Sequence, residues 1–157
     1  MNSMTAEKFE IRHIPEAAKI ERLCFSEPWS ETALRYLCTS EHTFGVAVLE
    51  DGRLAAYGGM EHVLDTAAIT NVAVHPDFRR RGFAREVLSR LEERAAELGV
   101  KKIFLDVRES NLPAKTLYLS SGYVKVGERR GYYRCPRENA DVMMKVISLP
   151  DPTEVKE

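Results

Sequence analysis

The chain of 157 residues lacks the features of several protein classes. It has no apolar run near the ~20 residues that a transmembrane helix needs. Residues 1–10 have neither the basic n-region nor the apolar h-region of a signal peptide. We therefore expect a cytoplasmic protein with no membrane partner. Three cysteines without a CxxC pair argue against a disulfide framework, and the four histidines lack metal-ligand spacing, so we expect no metal.

The overall composition is that of an ordinary globular protein. Hydrophobic residues make up 44% and charged residues 30%, a balance that argues against disorder. A formal net charge of −1 gives no general attraction to nucleic acid, and we expect no nucleic-acid partner. The length suits one domain over residues 1–148, followed by a polar tail over 149–157. We expect a monomer or a weak dimer.

Hydrophobic periodicity and turn signals predict an α/β chain of mixed α+β type. An Asp51–Gly52 turn joins two strands, and Gly99 ends the clearest helix. The order of elements predicts one mixed, mostly antiparallel central sheet with helices on both faces. The predicted strands cover 9–14, 43–50, 53–63, 66–74, 101–108, 123–133 and 140–147, with a loop over 134–139; the predicted helices start at Pro15, Ser30, Ala84 and Leu112.

A basic cluster stands at the start of the helix that begins near residue 84. Arg79, Arg80, Arg81 and Arg85 surround Gly82 there, although the positive end of a helix dipole disfavours cations unless an anion is bound. Free N–H groups beside a glycine form a phosphate cradle. The pattern therefore predicts a phosphate site, with a solvated basic turn as the alternative. RNA binding is a weaker interpretation, because no other basic, aromatic-rich face accompanies the cluster.

The same segment carries a family resemblance. The sequence RRRGFA (79–84) resembles the [QR]-x-x-G-x-[GA] acetyl-CoA motif of the GNAT acetyltransferases, and the preceding NVAVHP is typical of their strand. The resemblance implies the GNAT acyl-CoA N-acyltransferase fold and acetyl-CoA as co-substrate, with loop amides on the pyrophosphate and the strand along the pantetheine arm. The implied contacts are Val72, Ala73, Val74, Arg79, Arg80, Arg81, Gly82, Phe83, Ala84 and Arg85.

A second segment, LDVRESNLPAKTLYLSSGY, is similar to another part of the same family. Its strand places Asp106 near the carboxyl end, where open sheets bind ligands. The resemblance implies Asp106 as general base and Tyr118 as the phenol that protonates the departing thiolate. It also implies a cofactor contact from Asn111. The alternatives are a plain helix N-cap at Asn111 and a core aromatic ring at Tyr118.

Three further stretches resemble the RimI-type ribosomal-protein-alanine N-acetyltransferases: FSEPWSETAL, LDVRESN and ERRGYYRCPRENADVMMKV. The resemblance spans residues 10–147. It implies acetyl transfer to the α-amine of a protein N-terminus, with an Ala-starting ribosomal protein as the expected substrate. Tyr132 and Tyr133 would help to hold the incoming peptide. The alternative for these tyrosines is an exposed aromatic edge of a hairpin.

One residue departs from that family's pattern, because Asp106 stands where RimI-type enzymes carry Glu. The shorter side chain favours proton transfer through one water. An α-amine with a pKa of ~7.7–8.0 is partly neutral near pH 7, whereas a lysine at ~10.4 is almost wholly charged. A water-relayed base therefore suits an N-terminal substrate. The alternatives are a GNAT enzyme acting on lysine or a small-molecule amine, and a non-catalytic CoA-binding module.

Overall fold

The computed structural model describes residues 3–147; the tail over 149–157 lies outside this range. Its helices and strands follow one another in the predicted order. Asp51–Gly52 joins two strands, and Gly99, with a positive φ, follows the end of the longest helix. The elements are β1 Met4–Lys8, α1 Ile14–Cys24, α2 Glu31–Thr39, β2 Thr43–Glu50, β3 Arg53–Val63, β4 Thr66–Val74, α3 Phe83–Glu97, β5 Lys102–Arg108, α4 Leu112–Ser120, β6 Val124–Arg134 and β7 Arg137–Val146.

The seven strands form one sheet in the order β1-β2-β3-β4-β5-β7-β6. β4 and β5 run parallel, and the other neighbouring strands run antiparallel. The predicted mixed, mostly antiparallel sheet is therefore confirmed. β6 and β7 form the last hairpin. Its second strand, β7, pairs with β5, and its first strand, β6, is the edge of the sheet.

Helices cover both faces of the sheet, as predicted. One apolar cluster lies under α3 and α4, and another lies under α1 and α2. Because both faces are covered, β2 and β3 are buried along most of their length and have near-continuous apolar sequences. The first cluster includes Val46, Val48, Met60, Val87, Leu88, Leu91 and Tyr118; the second includes Ile20, Leu34, Leu37, Ala47, Tyr57 and Ala73.

The strand predicted over 9–14 is wrong. β1 ends at Lys8, and residues 11–13 form a 3₁₀ turn that leads into α1. Phe9 and Ile14 are buried, but Ile11, which completed the alternating pattern, is half exposed. The Glu10 N–H donates to Nδ1 of His13 at 2.8 Å. This local contact turns the chain where an extended strand was expected.

The loop predicted over 134–139 is shorter in the structure. Arg134 pairs with Arg137, so Cys135 and Pro136 alone separate β6 from β7. Glu138 pairs with Tyr133 on β6. A contact from another part of the chain supports this extension, because the Ser110 N–H donates to the Glu138 carboxylate at 2.6 Å.

The sheet opens between β4 and β5. Their parallel pairing covers only residues 66–68 of β4 and 102–104 of β5. The β3–β4 register shifts between Gly59 and Met60, which pair with Asn71 and Ile69, so Thr70 is an extra residue in β4. Such a bulge bends the strand that carries it. Beyond it, residues 71–74 and 105–108 diverge and leave a gap in the sheet.

Candidate active site

A cavity of about 420 Å³ occupies the gap between β4 and β5. Its walls include Asn71 and Val72 from β4, and Leu105 through Arg108 from β5. The α1 end and the loop after it close one side, and α4 closes the other. Asp106, Asn111, Tyr118 and Tyr133 all line this cavity. With Val72, the structure thus brings together five of the residues predicted for the site.

Asp106 lies on β5, two residues beyond the last β4–β5 pair. It pairs across the sheet with Val142 of β7. Its side chain is about one quarter exposed, and Oδ1 accepts a hydrogen bond from Nε of Arg129 at 3.0 Å. The predicted base is therefore a carboxylate at the cavity wall, held by a cation from β6.

Tyr118 lies on α4 and is buried. Burial, followed by the nearby Tyr133, raises the pKa of the Tyr118 phenol to about 12. The phenol therefore stays protonated at any pH where the enzyme would be assayed. Its ring also contacts Tyr123 edge-on, with 5.9 Å between the ring centroids. Tyr118 thus belongs to the core and to the cavity wall at the same time.

Asn111 is the N-cap of α4. Its Oδ1 accepts a hydrogen bond from the Ala114 N–H at 3.2 Å, which satisfies one of the free donors of the first helical turn. The same side chain lines the cavity. The capping role is confirmed, and the cofactor contact stays a prediction.

The three predicted residues of β4 point in two directions. Val72 and Val74 pack beside the α3-side cluster, whereas Ala73 is buried in the α1-side cluster. Within residues 3–147, the β5-facing edge of 71–74 pairs with no strand. This edge carries backbone N–H and C=O groups that need a partner when buried. An extended ligand with amide groups would supply one.

Gly82 precedes α3 with a φ of +83°, the left-handed conformation that favours glycine. A Cβ added at Gly82 would meet no protein atom within 4 Å. The glycine is therefore favoured by its backbone conformation, and the space beside its Cα is open. The first N–H groups of a helix attract anions. The loop over 79–82 is exposed and faces that space.

A model of the acetyltransferase (GNAT) family matches residues 14–123. This chain belongs to the GNAT acetyltransferase family. It is 34% identical over 147 residues to the ribosomal protein bS18-alanine N-acetyltransferase of Escherichia coli (strain K12), which covers 92% of this chain and 99% of that protein. The crystal structure of the ribosomal-protein-S18-alanine N-acetyltransferase from Escherichia coli aligns with a TM-score of 0.86 at 33% identity over 97% of both chains.

Arabidopsis thaliana NAA60 in complex with acetyl-CoA aligns with a TM-score of 0.84 at 16% identity, covering 92% of this chain and 99% of that one, a likeness of fold. The GNAT fold implied by the motifs is thus confirmed. GNAT enzymes take the acetyl group from acetyl-CoA, so the chain is an acetyl-CoA-dependent N-acetyltransferase.

In the described range 3–147, no helix is long and apolar enough to cross a membrane, and no cluster of His, Cys, Asp or Glu could hold a metal ion.

The arginines of the GNAT loop differ in what their side chains contact. Arg81 forms a two-point ion pair with Glu50, and Arg85 donates to Ser120 at 2.9 Å. Arg79 approaches the Cys24 sulfur at 3.4 Å. In the described part of the chain, the Arg80 side chain makes no hydrogen bond or ion pair. Arg80 is therefore the side chain most available to an anion.

Phe83 and Ala84 occupy the first turn of α3. The Phe83 ring is buried and contacts Phe78 edge-on, with 5.5 Å between centroids. It anchors the start of the helix against the core, so any contact of Phe83 with CoA comes from its backbone. Ala84 is half-buried. A small side chain at that position leaves the helix start open.

The two tyrosines of the last hairpin have different positions. Tyr133 lines the cavity, and the Arg108 guanidinium lies over its ring at 4.3 Å from the centroid. Burial, and then Asp106, raises the pKa of Tyr133 to about 12. Tyr132 is half exposed, with Arg129 at 5.8 Å from its ring centroid. Of the two residues predicted to contact the peptide, Tyr133 thus lines the cavity and Tyr132 does not; the contact itself stays a prediction.

A buried polar cluster at the cavity wall was not predicted from the sequence. Glu21 of α1 is 1% exposed, and its carboxylate accepts hydrogen bonds from the Trp29 N–H at 2.8 Å and from the Tyr57 hydroxyl. Nδ2 of Asn71 donates to that hydroxyl at 3.1 Å. Burial and Glu21 raise the pKa of Tyr57. The sequence pattern that could have revealed Glu21 is its spacing: it follows Ala17 by four residues and so lies on the apolar face of α1.

Proposed function

We propose that this GNAT enzyme transfers the acetyl group of acetyl-CoA to the α-amine of a protein N-terminus. The observation that carries the proposal is the placement of Asp106 and Tyr118 on the wall of one cavity, between strands that have come apart. Similarity to the bS18-alanine N-acetyltransferases favours an Ala-starting ribosomal protein as the substrate. Such a substrate is cytoplasmic. A monomer or weak dimer without nucleic acid remains our expectation.

The structure offers a fitting site for the acetyl donor. The free edge of β4 would hydrogen-bond the amides of the pantetheine arm. The open space beside Gly82 and the N–H groups of the first α3 turn would take the pyrophosphate. Arg80 would add a positive charge at the rim. These contacts would hold the thioester end of the donor beside the cavity.

Asp106 would accept the proton of the acceptor amine. Its carboxylate reaches the cavity wall, and one water would span the distance left by the short side chain. An α-amine needs little help from this base, because a useful fraction is already neutral near pH 7–8. The rate against an N-terminal substrate should therefore rise through this pH range, whereas a lysine should stay poor until much higher pH.

Tyr118 would face the sulfur as it leaves. A phenol with a pKa of about 12 is a weak acid toward a thiolate whose conjugate thiol has a pKa of ~8.5, so complete proton transfer is uphill by roughly 5 kcal/mol. A protonated phenol still stabilises the developing negative charge by donating a hydrogen bond. We therefore assign this donation to Tyr118 as the larger part of its role.

The entrance of the cavity suits an extended peptide. Phe25 and Trp29, from the loop between α1 and α2, lie on one side, and Tyr133 lies on the other. Aromatic and apolar walls with a few polar groups at the base are typical of small-ligand and peptide sites. Tyr132, which is half exposed beside Tyr133, would contact residues that follow the N-terminal one.

A matched pair of peptides tests the proposal. The first begins with Ala and carries one internal Lys; the second has the same sequence with its α-amine blocked. Mass spectrometry after incubation with acetyl-CoA should show acetylation of the free α-amine alone. Asp106→Asn should lower kcat/KM and leave acetyl-CoA affinity nearly unchanged. Equal acetylation of the blocked peptide would assign the enzyme to lysine. Binding of acetyl-CoA without turnover of any amine would support the non-catalytic alternative.

A further inference from the structure

The ion pair between Asp106 and Arg129 crosses a strand. Asp106 pairs with Val142, and Arg129 pairs with Ala140, two residues away along β7. Residues two apart on one strand project from the same face. Asp106 and Arg129 therefore project from the same face, and the guanidinium reaches over β7 to the carboxylate.

The contact is specific to one oxygen. Nε of Arg129 donates to Oδ1 of Asp106 at 3.0 Å, and Oδ2 accepts no hydrogen bond from any residue between 3 and 147. A carboxylate offers lone pairs on both oxygens. The guanidinium thus fixes the orientation of the group and leaves its second oxygen for another partner.

The pair contributes little to folding stability. The Arg129 side chain is 55% exposed and that of Asp106 is 25% exposed, and exposed ion pairs are typically worth no more than a small fraction of a domain's stability. The reaction rate depends far more strongly on the position of a reacting group, because a displacement of about 1 Å reduces the rate by up to ~10²-fold. The consequence of the contact should therefore appear in catalysis rather than in stability.

We propose that Arg129 is a positioning residue: it holds Asp106 by Oδ1 so that Oδ2 accepts the proton of the acceptor amine, directly or through one water. The proposal rests on the assignment of Asp106 as the base. An Asp carboxylate stands one methylene farther from the amine than a Glu carboxylate. A fixed orientation compensates for this loss of reach, because the water between base and amine then has a defined place.

A double-mutant cycle tests the proposal, with Arg129→Gln, Asp106→Asn and the double variant. Arg129→Gln alone should lower kcat about tenfold or more, within the range that a displacement of ~1 Å produces, with acetyl-CoA affinity and Tm unchanged. In the Asp106→Asn background it should have almost no further effect, since residues that act through one another are not additive. Arg130→Gln is the matched control, because Arg130 is the neighbouring exposed arginine. It should behave as the unsubstituted protein.

The cycle uses whichever amine the unsubstituted enzyme acetylates in the peptide panel. If that amine is a lysine or a small molecule, the proposed N-terminal function is wrong, but the cycle still decides the role of Arg129. An equal loss from Arg129→Gln in both backgrounds, or no loss with Asp106 present, would overturn the positioning role. An enzyme that acetylates no amine would overturn both proposals.

Discussion

The exchange of Gly82 for alanine offers a direct test of the acetyl-CoA site. Gly82 has a φ of +83° at the start of α3, and Gly99 has a φ of +84° just after its end. A Cβ at either position meets no protein atom within 4 Å. The two substitutions therefore impose the same backbone strain without a clash. Gly99→Ala is the matched control for Gly82→Ala.

The two variants should lose equal stability. A non-glycine residue in the left-handed region costs about 1–2 kcal/mol, which for a chain of this size lowers Tm by about 2–8 °C. Their acetyl-CoA affinities should differ. At Gly82 the methyl group enters the space proposed for the pyrophosphate and prevents one or two charged hydrogen bonds of about 1.5–3 kcal/mol each. Affinity should fall at least tenfold.

Calorimetry with acetyl-CoA measures the affinity of each variant, and thermal unfolding with and without acetyl-CoA provides a second readout. Donor at about 100 times Kd stabilises a protein by ~2.7 kcal/mol. Gly99→Ala should keep this stabilisation in full, while Gly82→Ala, with an affinity at least tenfold lower, should lose about half of it or more at the same concentration. If both variants bind acetyl-CoA equally well, the pyrophosphate does not lie at this loop.

Three further predictions concern the cavity and its supports. Tyr118→Phe should lower kcat by ~10²–10³-fold, the usual effect of removing one hydrogen-bond donor from developing negative charge, with little change in Tm. Tyr123→Phe, which loses the hydrogen bond to Glu92, should lower Tm and leave kcat unchanged. The reverse pattern would show that Tyr118 is only a core residue. The Lys115 ion pair lowers the pKa of Asp141 against its burial, so its stabilisation is present above about pH 4 and is lost as pH falls. Asp141→Asn should therefore lower Tm at pH 7 and flatten the acid side of its pH profile; an unchanged profile would contradict the ion pair's role. Glu21→Ala leaves two donors unpaired, the buried Tyr57 hydroxyl and the half-buried Trp29 N–H, and should lower the urea-derived free energy of unfolding by about 2–4 kcal/mol. A loss under 1 kcal/mol would show that water replaces the carboxylate.

Local patterns predicted most of the elements. The Asp51–Gly52 turn and the apolar stripe of α3 depend on residues within one turn or one helix, and both are confirmed. Asp106 and Tyr118 were found because a long motif fixes their spacing, and the structure places both at one cavity. Their chemical roles stay predictions.

The missed features depend on contacts between distant parts of the chain. Arg129 meets Asp106 only because β7 is inserted between β5 and β6, which the order of strands along the chain does not reveal. The link from Glu21 to Tyr57 likewise depends on the position of α1 over β3.

The wrong prediction of a strand at 9–14 has a local cause. A hydrogen bond between Glu10 and His13 outweighs the alternating pattern there.

The gap between β4 and β5 passes through the sheet. Cys24 and Trp29 line it from the face covered by α1 and α2, and Ala114 and Tyr118 line it from the face covered by α3 and α4. We therefore expect acetyl-CoA and the amine to enter from opposite faces of the sheet, so that both are bound at the same time. Initial-rate plots against both substrates should consequently intersect, as they do for sequential addition, whereas a covalent acetyl-enzyme would give parallel lines.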